Sequence, residues 1–302
     1  MNAFCSTEVS GFPAGAVFAG SGVWAPFLAE GRRRAGIPRQ NCCGALWPPR
    51  LALLAGGPAR RLRPLTHTTP KSLVSVAGEP FLAHQLRLVR AGGIREVVIC
   101  CGHLGSQIEE FAGDGSRFGL SITYSDDGST ALGTGGAVRA ALPLLGQRFL
   151  VMYGDSWLTE PIEPIWRAFC ESDKPALMTV FRNRNRWGAS NVEYRKGLIV
   201  RYDKRHPGPA MRHIDYGLEA LDASVLEHWS VPVFSLSDVW TGLANYSLLA
   251  GYETRERFYE IGTLTGLRET ESVVATHAGM SLRDLAEGRS GPGPRKDAGG
   301  IC

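Results

Sequence analysis

The residues most able to do chemistry stand where short apolar runs end. Leu54-Ala55-Gly56-Gly57-Pro58-Ala59-Arg60-Arg61-Leu62 closes the run that begins at Leu51, and Lys71 follows Arg61 by ten positions, after Pro70. Two glycines let a backbone come close to a bulky anion, and arginine and lysine add charge-assisted donors, so in chemical terms this is a phosphate site. It lacks the G-x-x-x-x-G-K-[ST] pattern of a Walker loop and the third glycine of a dinucleotide fingerprint. By residue type alone, an ordinary tight turn with two solvated arginines stands beside that reading.

Three later segments add candidates. Leu132-Gly133-Thr134-Gly135-Gly136-Ala137 opens a helix, where glycines leave N–H groups free for a ligand edge or an anion. The same residues also read as a plain strand-to-helix turn. Met152-Tyr153-Gly154-Asp155 puts an acid directly after an apolar strand. An acid there suits a hard cation such as Mg²⁺, which keeps several waters and needs one or two protein carboxylates; a helix N-cap is the alternative. Tyr202-Asp203-Lys204 brings an ammonium to a strand end, and Phe258-Tyr259-Glu260-Ile261-Gly262-Thr263 sets one carboxylate before a glycine turn. Either fits a surface ion pair or a cap as well as a site.

These residues need a frame that gathers strand ends. Leu51–Ala55, Val97–Cys101, Ser121–Ser125 and Phe149–Tyr153 read as buried strands, with helices expected over Phe81–Val89, His103–Phe111 and Thr134–Leu144. Their alternation on short connections predicts an α/β, doubly wound, mainly parallel sheet covered on both faces. After Asp155 the pattern loosens into strands at 177–181, 190–194 and 198–203 and helices near 236–249 and 263–276. In such sheets ligands sit at the carboxyl ends of the strands, where the candidates lie.

Composition sets the limits. The chain has 302 residues, 44% hydrophobic and 21% charged, enough for a sizeable core and against wholesale disorder. No apolar run reaches the roughly 18–20 residues of a membrane span. Basic residues exceed acidic ones by 33 − 29 = 4, too few to argue for nucleic acid. Seven cysteines, two pairs of them adjacent and none in C-x-x-C spacing, predict reduced thiols in a cytoplasmic protein rather than disulfides or a zinc site. Residues 1–50, rich in glycine and arginine without sustained period, read as a disordered extension or an upstream start; residues 278–302 read as a flexible tail. The working domain is expected over 51–277.

From about Leu51 to about Thr276 the chain resembles the sugar-phosphate nucleotidyltransferases, most closely the branch with mannose-1-phosphate and heptose-1-phosphate guanylyltransferases. The resemblance rests on Leu54 to Leu62 against L-A-G-G-x-G-T-R-L, on Lys71 ten residues after Arg61, and on Pro70-Lys71-Ser72-Leu73 running to Pro80-Phe81. It implies a Rossmann-like sheet of the nucleotide-diphospho-sugar transferase type and the reaction NTP + sugar 1-phosphate ⇌ NDP-sugar + pyrophosphate. By resemblance, Leu54, Ala55, Gly56 and Gly57 approach the nucleotide, and Gly133 and Thr134 lie against base and ribose. Arg61 holds the triphosphate, Lys71 neutralises charge around the α-phosphorus, and Asp155 and Glu260 hold Mg²⁺. Glu193 accepts a sugar hydroxyl, Lys204 grips the sugar phosphate, and Gly217 offers backbone to the sugar. Branch resemblance leans towards GTP and allows a homo-oligomer; it implies no nucleic acid and no membrane. The chain departs from the family at Ala59 and Arg60, where glycine and threonine are usual, at Gly135 for alanine, and at Glu260 for aspartate. A non-catalytic relative that keeps the fold, or a cytidylyltransferase for a small phosphorylated alcohol, are the competing expectations.

Overall fold

A computed structural model describes residues 47–277 apart from Pro58, Ser129, His228 and Ser230. The expectations for residues 1–46 and for the tail lie outside the described residues. The fold starts slightly before the expected boundary: Arg50 already belongs to the first strand, and the Trp47 ring fills the space beside Gly93.

Strand β1 (Arg50–Leu54) is a continuous apolar run with Leu51, Ala52 and Leu53 inaccessible to solvent, as a strand covered on both faces must be. It pairs in parallel with β4 (Glu96–Cys101) and β6 (Arg148–Tyr153), and β5 (Ser121–Asp126) extends the parallel set beyond β4. The main sheet has nine strands in the order β5-β4-β1-β6-β11-β8-β12-β10-β9. Its second half adds β8 (Ala176–Phe181), β9 (Val192–Arg195), β10 (Leu198–Tyr202), β11 (Ile214–Asp222) and β12 (Leu249–Thr254). Strand β11 runs antiparallel to both β6 and β8, which makes the sheet mixed, while β12 is parallel to β8. Short ribbons join β2 (Ser75–Val76) to β3 (Glu79–Pro80), and β7 (Ser156–Trp157) to β13 (Tyr259–Glu260).

Helices cover both faces, as the alternation predicts. One apolar cluster joins the sheet to α1 (Phe81–Ala91), α2 (Gly105–Ala112) and α4 (Ile162–Glu171) through Leu82, Leu86, Ile108, Ile165 and Phe169. The other joins it to α3 (Gly133–Leu145) and α6 (Leu236–Asn245) through Val138, Ala141, Val239 and Trp240, with the short α5 (Ser224–Glu227) between. Helix α7 (Leu264–His277) closes the described chain.

The sequence reading missed α4, β11 and β12. The helix expected to run to 249 stops at Asn245, because Ser247 adopts φ 55° and turns the chain into β12. Within β12, Gly251 leaves room for the Tyr194 ring, which lies 2.7 Å from where a side-chain carbon would be. The start of α3 carries a similar constraint. A Cβ on Gly136 would stand 2.6 Å from the backbone oxygen of Pro232, and one on Gly135 would meet the Phe234 ring at 2.3 Å. Gly136→Ala, although it improves helix propensity, is therefore expected to destabilise the fold by about 1–3 kcal/mol through overpacking. Urea unfolding checks this by a lower midpoint at unchanged m-value.

Candidate functional site

The glycine loop leaves β1 at its carboxyl end. Its backbone is anchored by Ala55 N–H donating to the Cys100 carbonyl at 3.0 Å, and Gly56 passes so close to the next strand that a Cβ would lie 3.0 Å from Gly102 N. Gly57 differs: it is exposed, and nothing stands within 4 Å of its missing side chain. Ala59 takes φ 43°, the left-handed region that glycine enters freely and other residues enter at about 1–2 kcal/mol. Arg61 turns back towards the opposite wall, its guanidinium 3.1 Å from the position a Cβ on Gly262 would occupy.

That wall carries the carboxylates. Asp155 follows β6, one strand over from the glycine loop, and accepts a hydrogen bond from the Lys71 ammonium; both side chains are largely shielded. Glu260 arrives from β13, which pairs antiparallel with β7 so that Glu260 stands opposite Ser156. Ile261 N–H donates to the Asp155 carbonyl at 2.9 Å, which locks the two acidic segments side by side. Burial pushes the Glu260 carboxyl above its ordinary pKa and nearby Asp155 adds to this, against the lowering pull of Lys71, Arg61 and Lys204. Glu260 is therefore close enough to feel each of these four residues. Among the described residues no group of three or more His, Cys, Asp or Glu side chains gathers as a cage; the acids of the site are this pair.

Sequence reasoning missed the clamp on this turn. Gln85 on α1 is inaccessible to solvent, and its side-chain amide donates to the carbonyls of Tyr153 and Ser156 at 3.1 and 2.9 Å, bracketing Gly154 and Asp155. The available signal was a polar residue between the apolar positions Leu82 and Leu86 of one helix.

Lys204 lies on the second side of the site. Its ammonium is 3.1 Å from Oδ2 of the buried Asp215 and sits over the rings of Tyr153 and Tyr202. Burial of the amine opposes its charge, but the Asp215 carboxylate together with the hydroxyls of Tyr153 and Tyr202 outweighs this and holds the Lys204 pKa above its ordinary value. Glu219, four residues on along β11, is wholly buried; its desolvation and the Asp215 charge raise its pKa well above 4.5 and so favour its protonated form. Gly217, buried as well, lies between them at φ 93°, and its N–H donates to Oδ1 of Asp215 at 3.1 Å, so that donor is already taken.

Two expected contributors are placed differently. The N–H groups of Gly135 and Gly136 are taken by the Phe234 carbonyl at 3.0 and 3.3 Å, so the helix start is not an open set of donors. Thr134 accepts the Leu236 N–H at 2.9 Å, which ties α3 to the start of α6, while Gly133 remains exposed. Glu193, on β9, is held by Arg195 of the same strand. Cys100 and Cys101 are free thiols; burial pushes the Cys101 thiol up to about 12, leaving it unreactive at neutral pH.

Residues 52–190 match the family model described as Nucleotidyl transferase. The match covers 139 of the 302 residues. The chain is similar to N-acetylmuramate alpha-1-phosphate uridylyltransferase of Neisseria meningitidis serogroup B, 48% identical over 104 residues, which is 34% of this chain and 45% of that protein. Glucose-1-phosphate thymidylyltransferase of Streptomyces antibioticus is 36% identical over 160 residues, 51% of this chain and 45% of that protein. The chain thus spans under half the length of these curated relatives. Among solved structures, a UDP-glucose pyrophosphorylase from Acinetobacter baumanii superposes with a TM-score of 0.62 at 13% identity, covering 79% of this chain and 97% of that one, which establishes the fold.

Burying Glu219 has a measurable cost. The folded chain keeps this proton at pH values where the unfolded chain, titrating near 4.5, has lost it. More protons bound in the folded state means that stability falls as pH rises above about 4.5, by up to about 1.4 kcal/mol per unit. Glu219→Gln removes that slope, so the variant's stability relative to the parent is expected to climb between pH 5 and 8. Equal pH dependence of the two in urea unfolding would refute a neutral Glu219.

Proposed function

We propose that the protein transfers a nucleotidyl group from an NTP to a sugar 1-phosphate, giving an NDP-sugar and pyrophosphate. One observation carries this: Lys71, Asp155, Glu260 and Arg61, drawn from four separate segments, meet at the carboxyl ends of β1 and β6, beside a glycine loop with open space at Gly57. Cations facing paired carboxylates next to exposed backbone suit a polyphosphate better than any neutral substrate.

In this reading Leu54, Ala55, Gly56 and Gly57 line the nucleotide, with the Gly133–Thr134 turn on its base and ribose side. Arg61 and Lys71 lie along the phosphates. Asp155 and Glu260 fit Mg²⁺ as a pair of hard oxygen donors, the number that ion takes from protein when waters and phosphates supply the rest. Bound there, the ion would offset phosphate charge. Lys204 grips the acceptor's phosphate, Gly217 lies on the sugar side, and Glu193 accepts a sugar hydroxyl once it releases Arg195. An ionised phosphate oxygen of the sugar phosphate then attacks the α-phosphorus, the bond to the bridging oxygen breaks, and pyrophosphate leaves with its electron pair. No protein nucleophile is needed; the site lowers the barrier by holding two polyanions in line and screening their repulsion.

The surroundings agree with an anionic acceptor. Residues 182–213, which follow β8 and end at the start of β11, hold nine Lys or Arg against two acids, and all nine are exposed. No helix among the described residues is long and apolar enough to cross a membrane. We place the activity in the cytoplasm, where the free thiols of Cys100 and Cys101 stay reduced. The guanine leaning of the sequence is one choice among the relatives, which are named for uridylyl, thymidylyl and guanylyl transfer.

The test is pyrophosphate release by the purified protein with Mg²⁺, each common NTP and a panel of sugar 1-phosphates. We expect one pair to turn over, and Asp155→Asn to lower that rate by about a hundredfold or more while its unfolding midpoint stays near the parent's. Turnover undiminished in Asp155→Asn would sink the assignment, and no turnover with any pair would leave the non-catalytic reading.

A further inference from the structure

A lysine that grips a phosphate ordinarily does so from a mobile four-carbon stem, whose rotamers must be frozen as the anion arrives. Lys204 is already held. Its ammonium meets Asp215 at 3.1 Å, and the faces of Tyr153 and Tyr202 lie 5.4 and 5.7 Å from it.

Asp215 is in turn fixed on every side. Its own N–H donates to Oδ1 of Asn191 at 3.1 Å, its Oδ1 accepts the Gly217 N–H at 3.1 Å, and its Oδ2 accepts the Tyr202 hydroxyl at 3.3 Å. The Gly217 bond requires the left-handed turn of that residue, and the Ser156 hydroxyl occupies the place where a side chain on Gly217 would go, at 2.8 Å. The brace therefore reaches the residue next to Asp155. Glu219 below is buried, and Asp215 presents the carboxylate oxygen that stands 3.1 Å from the amine.

We propose that Asp215 is the positioning residue of Lys204, fixing its ammonium so that a donor left free is presented, preformed, to the acceptor's phosphate. The proposal rests on the reading of Lys204 as the grip on the sugar phosphate. It goes beyond that reading by assigning a role to a buried acid that itself touches no substrate. A merely structural ion pair would hold the fold without preferring one substrate over the other.

Two readouts test it, one of them independent of turnover. The chain has five lysines, so ¹³C-lysine spectra are simple and the Lys204 signal is assigned by its loss in Lys204→Arg. In the parent, its ε-methylene signals are expected upfield of the other lysines from the two ring currents, and to move towards them in Asp215→Asn. An unshifted Lys204 signal in the parent, or one unchanged by Asp215→Asn, overturns the proposal. Should Asp215→Asn fail to fold, the parent spectrum still decides, and Tyr202→Phe, which removes one ring-side hydrogen bond to Asp215, must move the signal in the same direction. In the assay, Asp215→Asn is expected to raise KM for the sugar 1-phosphate about tenfold while KM for the NTP stays within about twofold. Equal rises in both overturn it in favour of a structural role. If the parent turns over no substrate pair, the proposed function fails while the spectra still decide whether Asp215 holds Lys204.

Discussion

The site depends on one close approach between neighbouring strands. Gly154 N–H donates to the Leu54 carbonyl at 2.9 Å, and any Cβ on Gly154 would stand 2.4 Å from that oxygen. No side chain fits, so the turn after β6 lies against the backbone that enters the glycine loop after β1. Everything chemical follows from this contact. Asp155 is the next residue along, Lys71 reaches it from the segment after the loop, and Ile261 N–H fastens the Glu260 strand to its carbonyl. Gln85 then fills the bracket around the turn with two donors that the carbonyls of Tyr153 and Ser156 would otherwise lack in a dry environment. A phosphate loop and a carboxylate pair are thereby built as one unit rather than as two features that happen to face each other.

The parallel half of the sheet was legible because β1, β4 and β6 are buried almost throughout and so read as apolar runs. The other half was not. Strand β11 carries Asp215, Glu219 and Asp222 within its buried span, and a strand containing three acids breaks the pattern that marks a core strand. The physical reason it is tolerated lies in their surroundings: Asp215 meets Lys204, Asp222 meets Arg148 at 3.5 Å, and burial favours the protonated form of Glu219, none of which is visible in a linear sequence. Helix α4 hides for a different reason, since Ile162, Ile165, Trp166 and Phe169 keep a helical stripe, but Pro164 within it reads as a breaker; it falls in the first turn, where proline is tolerated. The site residues Arg61, Lys71, Asp155, Lys204 and Glu260 were legible from type and order. Their supports, Gln85 and Asp215, were not, because support is a matter of contact.

Charge shows the same gap between count and arrangement. A net of +4 over 302 residues suggests little, yet residues 182–213 carry nine basic and two acidic residues, a net of +7. The rest of the chain is then net −3, with 33 − 9 = 24 basic against 29 − 2 = 27 acidic residues. Within that basic stretch Asp203 and Glu193 are occupied by arginine partners, and Arg205 leans on Asp238, so the excess is carried by exposed guanidinium groups. Such a field raises the local concentration of an anion before any specific contact forms.

The departures from the family pattern separate on the same grounds. Gly135, where alanine is usual, is explained by the Phe234 ring, which occupies the space of the missing methyl; the substitution and the ring are two halves of one packing solution. That ring stacks on Trp229 at 4.9 Å, so the change draws in a segment far along the chain, and the Phe234 carbonyl takes the helix-start donors. Ala59 has no such partner. Its φ of 43° is the conformation that favours the glycine usual there, so the loop keeps its shape at a local cost without changing its path. Glu260, longer than the usual aspartate, has its backbone set by the β7–β13 pairing and by α7, whose Gly266 lies against the Glu260 carbonyl. With the backbone pinned on both sides, the added methylene acts on the carboxylate alone and carries it towards Asp155, Lys71 and Arg61, the groups whose charges it feels.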